Sequence, residues 1–200
     1  MSVKFYAGVY KIFSKLVRSV YRVEVIGAEN EPTEGAYIAC LNHISVQDVV
    51  IAGASVKRQV TFLAKAELFR IPLLGRFIKG MGAISLSRGG GDVAAIKKSV
   101  DVLRDGGVIG FYPQGHRCPG VHPRDTEIKH GLGLIEWRAR VSVLPMAIVC
   151  KDFRLRPFRR TKLIIGKPIS FEELEMTAGT PEEYERVSKL AFGRILELIP

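Results

Sequence analysis

With 200 residues, 47% of them hydrophobic, the chain has enough apolar mass for one domain with a sizeable core and too little for two comfortable ones. A formal net charge of +10 and a pI near 9.7 point to an anionic partner, whether nucleic acid, an anionic membrane surface or a phosphorylated small molecule. The three widely spaced cysteines, Cys40, Cys118 and Cys150, fit free thiols in a reducing, cytosolic setting better than a disulfide framework.

The first segment has lysines spread through it and no uninterrupted apolar centre, so no secretory signal is expected. No window reaches the roughly 18 to 20 apolar residues of a spanning helix, and any membrane contact is expected to be peripheral. Within residues 3 to 22 the cations Lys4, Lys11, Lys15, Arg18 and Arg22 fall on one helical stripe, opposite Phe5, Tyr6, Val9, Tyr10, Ile12, Phe13, Leu16, Val17, Val20 and Tyr21. No acid precedes Glu24. That pattern describes an interfacial anchor, with apolar side chains at the acyl boundary and cations near lipid phosphates; it also fits a helix packed on the core with a solvated basic face. The chain divides accordingly into an amphipathic helix over 1–22 and a single domain over 23–200.

Further along, Val23 to Ile26, Ala36 to Leu41, Val60 to Ala64 and Ala83 to Leu86 read as strands separated by glycine, proline and asparagine loops. Val93, Ile96, Val100 and Leu103 recur at helical spacing between Asp92 and Arg104, and Gly106-Gly107 closes that helix. Val108 to Phe111 and Val143 to Val149 read as buried strands, Lys162 to Gly166 as a more exposed one, and Pro181 to Leu198 as a charged amphipathic helix. Strands alternating with helices predict an α/β fold with a mixed, largely buried sheet flanked by helices.

The stretch LNHISVQDVV sets His43 five residues before Asp48, which on a continuous helix is a rotation of about 140° and would part the two side chains. Ser45-Val46-Gln47-Asp48 has the form of a capping box, so a helix is expected to begin near Ser45. His43 then sits in the strand-to-helix turn, able to fold back onto Asp48. The positive end of the helix disfavours imidazolium, while the aspartate favours it and fixes the tautomer. A neutral, oriented histidine suits removal of a hydroxyl proton; a capping aspartate beside a hydrogen-bonded loop histidine accounts for the same residues without chemistry.

The string Asn42-His43-Ile44-Ser45-Val46-Gln47-Asp48 resembles the NHxxxxD motif of the glycerolipid acyltransferases, the PlsC-like family that includes lysophosphatidic acid acyltransferase. Lys65-Ala66-Glu67-Leu68, Ile71-Pro72-Leu73-Leu74-Gly75 and Gly82 to Arg88 resemble its second block. Phe111 to Arg117 resembles its third, written FPEGTR, and Val143-Leu144-Pro145-Met146 its fourth. The resemblance implies an O-acyltransferase in which His43 is the general base and Asp48 orients it, with no covalent acyl-enzyme. It implies that Arg88 and Arg117 bind the acceptor's phosphate and that Gln114, Gly115, Lys65 and Glu67 position the acceptor; Lys129 is a weaker candidate. Guanidinium forks suit phosphate oxygens, and Arg88 precedes Gly89-Gly90-Gly91 at a helix start, where backbone N–H groups also attract anions.

The expected reaction moves a fatty acyl group from acyl-CoA or acyl carrier protein, as co-substrate with no further cofactor, to 1-acylglycerol-3-phosphate, giving phosphatidic acid. It would run at the cytoplasmic face of the cell membrane, with the protein peripheral or monotopic and no nucleic acid partner. Two departures bear on the acceptor: Gln114 stands where the family has glutamate and His116 where threonine is usual. They leave open another lysolipid, such as an acylated amino acid, or a lapsed, membrane-binding member. His116, Cys118 and His122 do not form a standard zinc spacing, and the Pro-rich CPGVHPRDTEI segment reads as a loop over the site.

Overall fold

The computed structural model describes residues 14–86 and 92–200. Among these, seven strands form one sheet: β1 (Val23–Ile26), β2 (Tyr37–Leu41), β3 (Val60–Lys65), β4 (Ile84–Leu86), β5 (Val108–Phe111), β6 (Ser142–Cys150) and β7 (Thr161–Ile165), in the spatial order β1-β7-β6-β2-β5-β3-β4. Every neighbouring pair is parallel except β6 with β7, so the crossovers must carry helices onto the sheet faces. These are α1 (residues 14–20), α2 (Asp48–Ser55), α3 (Pro72–Gly80), α4 (Val93–Arg104), α5 (Gly131–Ala139) and α6 (Pro181–Glu197).

The centre of the sheet is β2, buried at all five residues. Its side chains alternate between faces, as pleating requires. Tyr37, Ala39 and Leu41 pack with Ala52 and Val56 on the α2 side, while Ile38 and Cys40 join Ala95, Leu103, Leu132, Ile135 and Val187 on the α4, α5 and α6 side. The mixed, helix-flanked α/β sheet expected from the strand pattern is the observed architecture.

Local chemistry sets the helix limits. The Asp92 side chain caps α4 by accepting from the Ala95 N–H at 3.0 Å, and Gly106 leaves that helix at φ 79°. At α6, Thr180 caps and Pro181 opens the first turn. Glu183 reaches back to the N–H groups of Thr177, Ala178 and Gly179, and these donors hold its carboxyl down to about 2.

In α1, Val17 is buried against Ile51 and Ala54 of α2, whereas Leu16 is 59% exposed and Lys15 and Arg18 face solvent. The end of the N-terminal segment thus both packs on the domain and shows a basic face. Residues 1–13, the greater part of the expected amphipathic helix, lie outside the described residues. Among the described residues no helix is long and apolar enough to cross a membrane.

Two helices escaped the sequence pattern. The α5 segment carries Gly131 and Gly133, poor helix formers. A Cβ on Gly133 would lie 2.3 Å from the Tyr184 Cα, so close α5–α6 packing overrides local propensity there. In α3, Leu73, Leu74 and Phe77 are 81%, 38% and 39% exposed, an apolar face without a core to reveal it.

Candidate active site

In parallel strands the C-terminal ends share one edge of the sheet, where α/β proteins place their ligands. Here that edge receives Asn42 and His43 from β2, Tyr112 to Arg117 from β5, and Lys65 and Glu67 from β3. The motif blocks, scattered in sequence, are therefore brought together by topology. Arg88 lies in residues 87–91, outside the described residues.

Asn42 anchors the turn: its buried amide donates to the Ile148 carbonyl at 3.0 Å and accepts from the Ile148 N–H at 2.7 Å, extending the β2–β6 ladder by a side-chain rung. His43 follows. Its Nδ1 lies 2.9 Å from Asp48 Oδ2, which also accepts from the N–H groups of Ile44 at 2.6 Å and Ser45 at 2.7 Å. An oxygen already accepting two amide protons is an acceptor, so Nδ1 carries the proton and Nε2 is left as the basic nitrogen of the neutral ring. Asp48 is fully buried and the His43 side chain is 16% exposed.

The expected helix start is corrected by this arrangement. Asp48 does reach back to the Ser45 N–H, but Ser45 Oγ meets Gln47 instead of the Asp48 N–H. The helix begins at Asp48 with Gln47 as its cap, and the half of the box that Ser45 would supply is missing because its hydroxyl is engaged by the Gln47 side chain.

The backbone of His43 is clamped by the third block. Its N–H donates to Gln114 Oε1 at 2.5 Å and its carbonyl accepts from the Cys118 N–H at 2.8 Å. Gln114 is 1% exposed, and its Nε2 donates to Thr126 Oγ1 at 2.9 Å, whose hydroxyl donates to the Pro123 carbonyl at 2.6 Å. Both ends of the amide are thus engaged within the protein, joining the His43 backbone to the Pro-rich loop. Gln114→Ala should leave the buried His43 N–H without an acceptor and cost about 1–3 kcal/mol, read as a lower urea midpoint. Gln114→Glu keeps that acceptor and should stay within about 1 kcal/mol of the parent, since the Thr126 hydroxyl can turn to donate to the carboxylate.

Tyr112 went unnoticed as a single residue in the sequence. Its ring stacks on the imidazole with centroids 4.2 Å apart and planes at 24°, and it continues to Phe62 at 6.0 Å. Burial, and secondarily the Asp48 charge, push its phenol well above the usual tyrosine range, so it stays neutral and adds no charge beside the imidazole. An aromatic residue next to a motif proline was its only signal.

The other candidates are placed as follows. Arg117 is exposed, one residue before the Cys118 N–H that meets His43. Gly115 turns at φ 68°, a conformation that favours glycine, with the Lys129 side chain against it. Lys65 and Glu67 are exposed at the end of β3 and in the turn after it. Burial raises the thiols of Cys40, Cys118 and Cys150, the last to about 11, so none is a ready nucleophile. Among the described residues no group of three His, Cys, Asp or Glu side chains is disposed to hold a metal ion.

Beside the turn an apolar cavity of about 260 Å³ runs between α2, β3 and α3, lined among others by Val46, Val49, Phe62, Leu68, Leu74 and Phe77. Val46 and Val49 flank Asp48 in sequence, so the cavity begins beside the turn that holds the His43–Asp48 pair. A larger open cleft of about 790 Å³, lined by Arg76, Lys79, Lys98, Asp101 and Asp105 between α3, β4 and α4, shares no residue with the His43 turn.

A family model described as Acyltransferase matches residues 22–149. A protein named 1-acyl-sn-glycerol-3-phosphate acyltransferase from Bacillus subtilis (strain 168) is 27% identical over 169 residues, covering 83% of this chain and 81% of its own. One of the same name from Borreliella burgdorferi is 32% identical over 130 residues, 64% of this chain and 51% of its own. The crystal structure of the 1-acyl-sn-glycerophosphate acyltransferase PlsC from Thermotoga maritima superposes with a TM-score of 0.73 at 26% identity, covering 98% of this chain and 81% of that one. With well over half its length matched by the family model and nearly all of it superposing on a solved member, the chain belongs to the acyltransferase family, as a PlsC-like member of its glycerolipid branch.

Proposed function

We propose that the protein transfers a fatty acyl group from an acyl thioester, acyl-CoA or acyl carrier protein, to the free hydroxyl of 1-acyl-sn-glycerol-3-phosphate at an anionic membrane surface on the cytoplasmic face. The observation that carries this reading is the His43–Asp48 pair, with Nδ1 held at 2.9 Å, in a turn whose Val46 and Val49 line an apolar cavity and whose His43 carbonyl meets the Cys118 N–H directly after the exposed Arg117. His43 Nε2 takes the proton of the acceptor hydroxyl as its oxygen attacks the thioester carbonyl; the tetrahedral intermediate collapses, expelling the thiolate, which recovers the proton from His43. No acyl-enzyme forms. Asp48 keeps the ring in the Nδ1–H tautomer and balances the transient imidazolium.

Arg117 suits the acceptor phosphate because a guanidinium offers two parallel donors to its oxygens, and Arg88, which follows β4 in sequence, is proposed to join it. Lys65 and Glu67 complete the rim. The apolar cavity suits an acyl chain, since it offers a hydrocarbon tail apolar surroundings in place of water. The inward-turned amide of Gln114 weighs against reading it as a mark of lost chemistry or of a changed acceptor, since it meets His43 and Thr126.

The test is a matrix of lysolipid acceptors against acyl-CoA and acyl carrier protein donors with purified protein, following thiol release. Lysophosphatidic acid should be the preferred acceptor. No thiol release with any pair would sink the enzymatic reading, and preference for a lysolipid without phosphate would sink the acceptor assignment.

A further inference from the structure

Between β6 and β7 the chain runs Lys151-Asp152-Phe153-Arg154-Leu155-Arg156-Pro157-Phe158-Arg159-Arg160, five cations to one acid, with all six charged residues exposed. The loop sits at the active edge of the sheet. Strand β6 is parallel to β2 with Met146 beside Leu41, and it runs on to Cys150, so the connection overhangs the end at which His43 turns.

Its inner side is built into the protein. The Phe153 carbonyl accepts from the Gly120 N–H at 3.0 Å, and the Phe153 ring meets His122 edge-on at 4.8 Å. Leu155 packs with the cluster of Val17, Ile51 and Ala54 that joins α1 to α2. The Phe158 N–H donates to the Val20 carbonyl at the end of α1 at 2.5 Å, and the Thr161 N–H to the Arg22 carbonyl at 3.4 Å. The loop is thereby continuous with the exposed cations Lys15, Arg18 and Arg22.

The outer side is not explained by the fold. Phe158 is 69% exposed and held at φ 63°, a left-handed backbone that is costly for a bulky side chain and that persists in proteins mainly where function uses it. Both the strain and the wet ring oppose the folded state in water. Both make sense if the ring is desolvated elsewhere.

We infer that the β6–β7 loop is a docking element for an anionic lipid surface, with Phe158 seated at the acyl boundary and Arg156, Arg159 and Arg160 among headgroup phosphates. An aromatic tip ringed by cations matches an apolar layer beneath a plane of phosphates. An acidic carrier protein would match the cations and leave Phe158 without a partner. The far layer supports one orientation, since Glu172, Glu173, Glu175 and Glu182 are exposed before and at the start of α6 and turn that side away from an anionic surface. This inference rests on the membrane-surface reading given above and adds a second contact to it, at the lip of the active edge.

The test uses the full chain in flotation with phosphatidylcholine vesicles, with and without phosphatidylglycerol. Phe158→Gly relieves the backbone, so its melting temperature should equal or exceed that of the parent while its vesicle partition falls several-fold. The triple variant R156Q/R159Q/R160Q should lose roughly 100-fold on anionic vesicles, and both variants should turn over a monomeric short-chain acceptor at the parent rate. Unchanged flotation of both variants overturns the inference and leaves α1 as the anchor. Unchanged flotation with a raised KM for acyl carrier protein alone overturns it in favour of donor docking. Failure of the parent to float removes the membrane reading itself, and failure of the parent to transfer acyl groups shows separately, in the activity arm.

Discussion

Replacing His43 with alanine is expected to lower acyl transfer by about 10²- to 10⁴-fold, the usual contribution of a general base, with the fold unchanged. The turn survives because Asp48 Oδ2 still accepts from Ile44 and Ser45 at 2.6 and 2.7 Å, and the Gln114 and Cys118 contacts use only the backbone of residue 43. Thiol release measured beside a melting curve separates chemistry from stability. Wild-type turnover in the alanine variant would remove His43 from the mechanism. Asp48→Ala is a less clean probe, because it leaves two buried N–H groups unpartnered at about 1–3 kcal/mol each and mixes unfolding with lost activity.

The second large effect lies away from the site. Glu136 is fully buried in α5, with Oε1 accepting from the Val141 N–H at 3.1 Å and Oε2 without a partner. Burial, only partly offset by the Val141 bond, pushes its carboxyl up to about 8 from an ordinary 4.5. Because the folded state holds this proton more tightly than the unfolded chain, stability falls as pH rises from about 4.5 to about 8 and levels off above. Glu136→Gln keeps an acceptor for Val141 and removes the titration. It should match the parent within about 1 kcal/mol at pH 5 and exceed it by roughly 2–5 kcal/mol at pH 9. Urea unfolding across that range decides: parallel parent and variant profiles would show that Glu136 does not titrate between them.

Strand positions were legible because buried β-branched runs between glycine and proline breaks can do little else; Val23–Ile26 and Val108–Phe111 match the expectation residue for residue and the others shift by one residue at one or both ends. The helices at α3 and α5 were not, since their determinants are tertiary, an exposed apolar face and a glycine pressed against Tyr184. At the site, the pairing of His43 with Asp48 followed from the five-residue spacing and the cap. The inward amide of Gln114 and the stacking of Tyr112 did not, because each depends on the β2–β5 register, which sets Cys40 beside Phe111, and no local pattern encodes a register between strands so far apart in sequence.

The clamp on residue 43 also bears on when the protein becomes reactive. Its backbone amide is satisfied by a side chain 71 positions away, and its carbonyl by Cys118, so the basic nitrogen is aimed only after β5 has docked and the 113–129 loop has closed. A nascent or partly opened chain carries histidines but no aligned base. Loosening of that loop should therefore silence the protein before the sheet itself melts, and a half-built molecule is spared the side reaction of spilling acyl thioesters to water.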